Sequence, residues 1–423
     1  MVDPRILLIG YNGANNTGAE ALLLSDIADV RDVFGPRAQI TIPALDPANL
    51  HRYVGGIPSV QVEHLPTVFP LTVRRLVREH DLVILVEGSA YMDTWTSALL
   101  WYFLWATRCA AVEDIPCLAY AVDAGQLRPR NQRLVRREAS RTDLIVVRSA
   151  AAGERLRSWG VTTPIESTAD NAFTFEPDPR DAGWFRDAWP DAGPSPVGIA
   201  AVDLFQWPVV IRPFSRRADR YRWPYSFSRS PARTRASSRL AEGYARIADR
   251  IVSEHGRAVA LICMEELDGA IAGVIHARMR HPERARIFSS HDLDASKMTV
   301  LLRSLGGLMT SRYHASVLSL AAGVPQVAVG HDLRLRTLYE ELGIGRSFVA
   351  AGAGGDLASH PDDIDEMLTV ASARMDEVPR SPGDASEILL AGYRRHLRDA
   401  RRNRELLHGF ANAHGWGSVP WAA

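Results

Sequence analysis

The sequence predicts two α/β domains, each a doubly wound parallel sheet, facing one another across a cleft. Three observations carry that expectation. The chain has 423 residues, too many for one ordinary core and enough for two domains of roughly 200 residues each. Short continuous apolar runs alternate with segments of helical spacing in both halves, as in parallel sheets buried on both faces. A stretch rich in Pro, Asp and Gly, Phe175 to Pro196, interrupts that rhythm near the middle.

The elements follow in order. "RILLIG" (Arg5 to Gly10) is a buried parallel strand that passes through the polar turn "YNGANNTG" into a helix closing at Gly35. "AQITIPA", "DLVILVEG", "PCLAYAVD" and "RTDLIVVRS" continue the sheet. The aromatic run "SALLWYFLWATRCAAV" reaches Arg108 too soon to span a bilayer, which needs about 20 apolar residues, and reads as a buried helix. After the break, "PVGIAAVD", "RAVALICM", "ARIFSS" and the stretch "GLMTSRYHASVLSLAAGVPQVAVG" repeat the pattern. Two Rossmann-like units joined by a Pro-rich link give a GT-B-like arrangement, with ligands expected in the cleft beyond the strand ends. The expected domains are 1–190, 191–384 with an irregular insertion at 206–238 over the cleft, and a helix at 385–411 returning to the first domain.

Composition narrows the functional classes. Basic and acidic residues balance at 49 each, which argues against a whole-surface nucleic-acid binder. Lys297 is the one lysine, so an arginine at any given motif position carries little information. Cys109, Cys117 and Cys263 have no metal spacing and read as reduced thiols. The N-terminus lacks a charged, long-apolar leader, and the expected location is cytoplasmic.

The informative stretch is "MTSRYHASVLSLAAGVPQVAVGHD", Met309 to Asp332. A strand ends, Ser311 reads as the cap of the next helix, and Gly323 and Pro325 stop it. Arg312 and His314 then fall in the first turn, where free N–H groups and the helix dipole favour an anion. Arg312 supplies a planar fork for carboxylate or phosphate, and His314 a proton. The plainer reading pairs Arg312 with a surface carboxylate and lets His314 cap its own helix.

The longer stretch "SRYHASVLSLAAGVPQVAVGHDLRLRTLYEELGI" resembles the C-terminal signature of the polysaccharide pyruvyl transferase family. Arg312 and His314 match its arginine and histidine, Gly323 and Pro325 its Gly-x-Pro, and Asp332 its aspartate. His331 stands where an aromatic residue is usual, and Arg334 where lysine is usual. "GYNGANNTGAEALLL" is similar to the family's opening loop: Gly10, Tyr11, Gly13, Asn16, Gly18 and Glu20 match, while Ala19 replaces an acidic residue. Glu87 and Ser89 depart from a glycine-rich turn, and "ADNAFTF" fits a later segment.

The resemblance implies an enzyme that moves the pyruvyl unit of phosphoenolpyruvate onto hydroxyls of a sugar or lipid-linked sugar, as a ketal, with release of phosphate. No cofactor or metal is implied. His314 would be the acid that protonates the methylene carbon, and Arg312, with Ser311, Asp332 and Arg334, would bind substrate. Asn16 and Glu20 either bond substrate hydroxyls or close the turn and cap the helix. Arg212 is a weaker second anion contact, since it lies inside the insertion. Asp268 either orients an acceptor hydroxyl or caps a helix. Trp95, Trp101, Tyr102, Phe103 and Trp105 line a sugar platform or pack in the core. The basic tail from Arg394 to Arg404 meets a membrane surface or is a solvated face. A nucleotide-sugar glycosyltransferase of the same architecture and a non-catalytic binding protein are the competing readings.

Overall fold

The computed structural model describes residues 4–351, 361–377 and 382–416. The first seven strands are β1 (Arg5–Ile9), β2 (Gln39–Ala44), β3 (Val60–His64), β4 (Leu82–Leu85), β5 (Cys117–Val122), β6 (Leu144–Val147) and β7 (Ile165–Ser167). They form one parallel sheet in the order β3-β2-β1-β4-β5-β6-β7. The order reverses between β1 and β4, and the crevice beyond that switch point is where such sheets bind ligands. Ile6 to Ile9 are fully buried because both faces are covered: Leu7 and Ile9 meet the helices Ser97–Val112 and Pro70–Arg78, while Ile6 and Leu8 meet Thr17–Phe34.

The second sheet begins with β8 (Val197–Ala200). Three short strands follow, β9 (Val210–Ile211), β10 (Arg220–Arg222) and β11 (Tyr225–Ser226), and pair antiparallel as a small sheet of their own. Then come β12 (Val259–Cys263), β13 (Ala285–Ser289), β14 (Gly307–Thr310), β15 (Gln326–Gly330) and β16 (Phe348–Ala350). The large sheet is parallel in the order β13-β12-β8-β14-β15-β16. This is the GT-B architecture: two doubly wound sheets whose strand ends open on a shared cleft.

Two expectations shift. The insertion ends at Ser230, not 238, because Ser230 caps and Pro231 opens the helix Pro231–His255, a favourable pair of positions for those residues. The insertion is also not wholly irregular, since β9 to β11 give it a backbone ladder. The last helix spans Pro382–Ala413 and lies against the first domain. There Leu407, Phe410 and Ala411 join the core beneath Thr17–Phe34. Asn403 Nδ2 donates to the Ala169 carbonyl at 3.0 Å, and Arg404 pairs with Asp29 and Asp32 at 3.5 and 3.1 Å. Among the described residues no helix is long and apolar enough to cross a membrane.

The helix Thr17–Phe34 sits between the domains, which explains why 13 of its 18 residues are buried. Ala21 packs into the second domain, Leu22 against the seam, and Leu23 and Ile27 into the first. Its start is anchored across the cleft: the Thr17 N–H donates to the Met264 carbonyl at 2.8 Å, and Ser290 Oγ to the Asn15 carbonyl at 2.6 Å.

Candidate active site

The carboxyl ends of β1, β4, β12, β14 and β15 converge on one pocket. Its walls include Asn16, Gly18, Glu87, Ser89 and Trp95 from the first domain, and Glu265, Ser311, Arg312, His314, Asp332 and Arg334 from the second. Six of the eight residues singled out from the sequence therefore meet in one place. Glu20 and Arg212 do not. Glu20 is buried, pairs with Arg52 at 2.8 Å, and accepts the Ala295 N–H at 3.1 Å. Burial pushes its pKa up to about 7 against the pull of Arg52. Arg212 is exposed on the small antiparallel sheet, where its N–H donates to the Pro224 carbonyl at 2.9 Å.

The helix after β14 starts at Tyr313, one residue later than the sequence suggests, and is capped by Arg312 in extended backbone with no side-chain bond. Ser311 is not its cap. β14 ends at Thr310, Ser311 bends the chain, and the extended Arg312 donates its N–H to Thr310 Oγ1 at 2.8 Å, while Ser311 Oγ lies 3.4 Å from the Tyr244 hydroxyl. At the far end Gly323 closes the helix in the left-handed conformation, as its Gly-x-Pro sequence predicts.

Arg312 turns into its own domain. Its Nε donates to Asp268 Oδ2 at 2.9 Å, its Nη2 to Asp268 Oδ1, and its Nη1 pairs with Glu265 Oε2 at 2.9 Å. The fork is therefore not open, and Asp268 neither caps a helix nor faces a hydroxyl; it is the arginine's partner. Burial pushes both carboxyls up and Arg312 opposes it, while the nearby Asp268 charge raises Glu265 further. Glu265 also faces the Tyr11 hydroxyl at 3.5 Å, and that hydroxyl lies 2.5 Å from the hydroxyl of Tyr221 in the insertion.

His314 turns the other way. Its Nε2 lies 3.6 Å from Asp170 Oδ2, an ion-pair distance beyond a hydrogen bond. Asp170 is fully buried just past β7, where Arg148 Nη1 donates to the same oxygen and Arg148 Nε donates to Asp123 at 2.9 Å. Burial works against the Asp170 charge, but Arg148 and His314 outweigh it and hold the carboxyl well below the usual range. The imidazole also rests on Gly18, where a Cβ would come within 2.1 Å of Nδ1. Only glycine leaves room for the ring.

A third cation closes the pocket. Asp332 caps the helix Leu333–Glu341 by accepting the Arg334 N–H at 3.0 Å, and it holds the Arg334 guanidinium at 2.9 and 2.6 Å. Burial disfavours the Asp332 charge, yet Arg334 prevails and lowers its pKa. Arg334 Nη1 reaches across the cleft to Ser89 Oγ at 3.1 Å. Trp95 belongs to the site, with Arg334 over its ring at 5.8 Å and Trp207 edge-on at 4.9 Å. Tyr102 and Phe103 are core, and Trp101 and Trp105 are partly buried, donating to Asn131 and the Pro70 carbonyl. Asn16 caps the helix, its Oδ1 accepting the Ala19 N–H at 3.1 Å, and the residue also lines the pocket.

Residues 16–332 match the polysaccharide pyruvyl transferase family. The chain belongs to that family. It is accordingly a transferase enzyme of polysaccharide biosynthesis, and its membership implies a sugar or polysaccharide acceptor. No curated protein matches it in sequence. Among solved structures it is similar to Anabaena HepE in complex with UDP-glucose, at a TM-score of 0.57 and 13% identity, over 97% of this chain and 100% of that one. It is also similar to S. aureus MnaA with UDP, at 0.61 and 9%, over 99% of each chain. The Neisseria meningitidis UDP-GlcNAc 2-epimerase bound to UDP-GlcNAc aligns at 0.60 and 9%, over 96% of this chain and 100% of that one. At such identities the likeness is one of fold, and the fold is GT-B.

The transferase's sequence pointed to Arg312 and His314, and to Asp268 in another role, but not to their other partners. Glu265 and Arg148 lie far from them in sequence and carry no spacing signal. Asp170 alone had one, a lone acid at the end of a strand in "ADNAFTF".

Proposed function

We propose that the cleft transfers the pyruvyl unit of phosphoenolpyruvate to a sugar as a ketal, with the second domain holding the donor and the first the acceptor. The observation that carries this reading is His314: a histidine at the pocket wall, seated on Gly18 and backed by an anionic, buried Asp170. Such a group delivers a proton and is held ready by the carboxylate behind it.

His314 protonates the methylene carbon of phosphoenolpyruvate, leaving an oxocarbenium centre at the adjacent carbon. An acceptor hydroxyl forms a C–O bond to that centre and gives its proton to the phosphate. The C–O bond to phosphate then breaks, and a second hydroxyl closes the ketal and returns a proton. Arg312 and Arg334 lie on either side and meet the donor's carboxylate and phosphate. Their present carboxylate partners keep a buried cation paired until the donor arrives. Asn16, Ser89 and Trp95 present hydroxyl-bonding groups and a ring face to the acceptor. No step as written calls on a metal.

The test is incubation with phosphoenolpyruvate and a panel of sugar acceptors, following inorganic phosphate and mass gain on the acceptor. Phosphate release that depends on acceptor supports the assignment. Stabilisation by a nucleoside diphosphate and not by phosphoenolpyruvate in a thermal-shift assay overturns it in favour of glycosyl transfer.

A further inference from the structure

Five of the ten large apolar side chains that stay exposed among the described residues gather in one place. Val68 and Leu71 lie just before and at the start of the helix Pro70–Arg78, Ile211 ends β9, and Phe214 and Trp223 sit in turns of the insertion. Phe214 is 100% exposed and Leu71 85%, which is unusual for side chains of this size in one patch. The two segments touch, since the Tyr225 hydroxyl donates to the Thr67 carbonyl at 3.2 Å. Between them runs an apolar groove walled by Leu65, Pro66, Phe69, Tyr102 and Tyr225. That groove shares Tyr11, Leu99, Val209 and Tyr221 with the catalytic pocket, so it leads from the patch into the cleft.

Charge decides what the patch fits. The chain as a whole is neutral, yet residues 206–230 hold six arginines against the single acid Asp219. Arg212, Arg216, Arg217 and Arg220 are exposed beside Phe214, and among the described residues none of the four is in an ion pair. Apolar rings ringed by unpaired arginines complement a layer with an apolar interior and an anionic surface.

We propose that this face, the insertion together with the start of the helix Pro70–Arg78, docks on an anionic lipid bilayer and opens the groove toward it. The inference is independent of the chemistry assigned to the cleft. It assigns the contact to the insertion rather than to the basic tail helix, whose outer face carries Arg398, Arg401 and Arg402 with, among the described residues, no large exposed apolar ring beside them.

The experiment is co-sedimentation of the full chain with vesicles of phosphatidylcholine, with and without phosphatidylglycerol. Binding is expected only where phosphatidylglycerol is present, falling as salt rises. Phe214→Ser combined with Trp223→Ser should weaken it at least tenfold. Arg216→Ser and Arg217→Ser should each weaken it by roughly fivefold, with the thermal midpoint unchanged because these side chains are exposed. Three results would overturn the proposal. One is no binding to either vesicle. Another is binding that survives these changes but is lost in Arg398→Ser/Arg401→Ser/Arg402→Ser. The last is a sedimentation-velocity dimer that Phe214→Ser/Trp223→Ser dissociates, which would make the patch a contact between copies.

Discussion

Arg312 and His314 stand two residues apart at one helix start, yet they belong to two differently built clusters. Arg312 faces Asp268 and Glu265 in its own domain, and the two carboxyls sharing it are pushed up by burial. His314 faces Asp170, past the end of the other sheet, and that carboxyl is held low by Arg148 and by the histidine itself. Arg312 is the extended cap residue and His314 lies in the first helical turn, so their side chains leave in different directions and one short segment serves two sites. The first cluster can take up a proton and so loosen its grip on the arginine. The second stays charged and keeps the histidine aligned. The proposed donor, with an anionic end and a carbon to be protonated, would draw on both behaviours.

The largest expected effect breaks the second cluster. His314→Gln should lower turnover by roughly 10²–10⁴-fold, the usual weight of a general acid, with the thermal midpoint little changed; full retained turnover would remove the acid assignment. Gly18→Ala attacks the same cluster from outside the histidine. The added methyl must displace the ring, so turnover should drop about a hundredfold, as a 1 Å misplacement can, while donor binding is retained. A crystal structure showing His314 unmoved in that variant would contradict the packing described here.

A smaller effect sharpens the first cluster. Glu265→Gln removes one of the two charges on Arg312, so phosphoenolpyruvate should bind several-fold more tightly at neutral pH. The sign follows from the raised pKa: as pH falls, Glu265 and Asp268 gain protons in the folded enzyme before ordinary carboxyls do, and the freed guanidinium favours the anion. Donor affinity in the wild type should therefore rise as pH falls, and the variant should show less of that rise than the wild type under identical titration of the donor itself. An equal slope in both would place the anion elsewhere. The smallest effect belongs to the cross-cleft bond: Ser89→Ala deletes the Arg334 contact at 3.1 Å and should cost about 1 kcal/mol, read as a fivefold rise in KM or less.

What the sequence made legible follows the same division. Strands with continuous apolar runs, such as Leu82 to Leu85, stood out because burial on both faces demands them. β3, β7 and β16 did not, since Val60–His64 is a partly exposed edge that alternates with polar residues and the other two have three residues each. The convergence of Arg312, His314, Asp332 and Arg334 was readable because strand ends of a doubly wound sheet point to one crevice. The direction each side chain takes there was not. It depends on Thr310, rather than Ser311, receiving the Arg312 N–H, and on a glycine and an aspartate supplied from elsewhere in the chain.

The division of labour at that helix start is tested most directly by titrating phosphoenolpyruvate into His314→Gln and Arg312→Ala and comparing both with the wild type. The account predicts near-normal binding by His314→Gln, without turnover, and a loss of tenfold or more by Arg312→Ala, since a group acting in the transition state leaves ground-state binding intact. Binding lost in His314→Gln and kept in Arg312→Ala would contradict it.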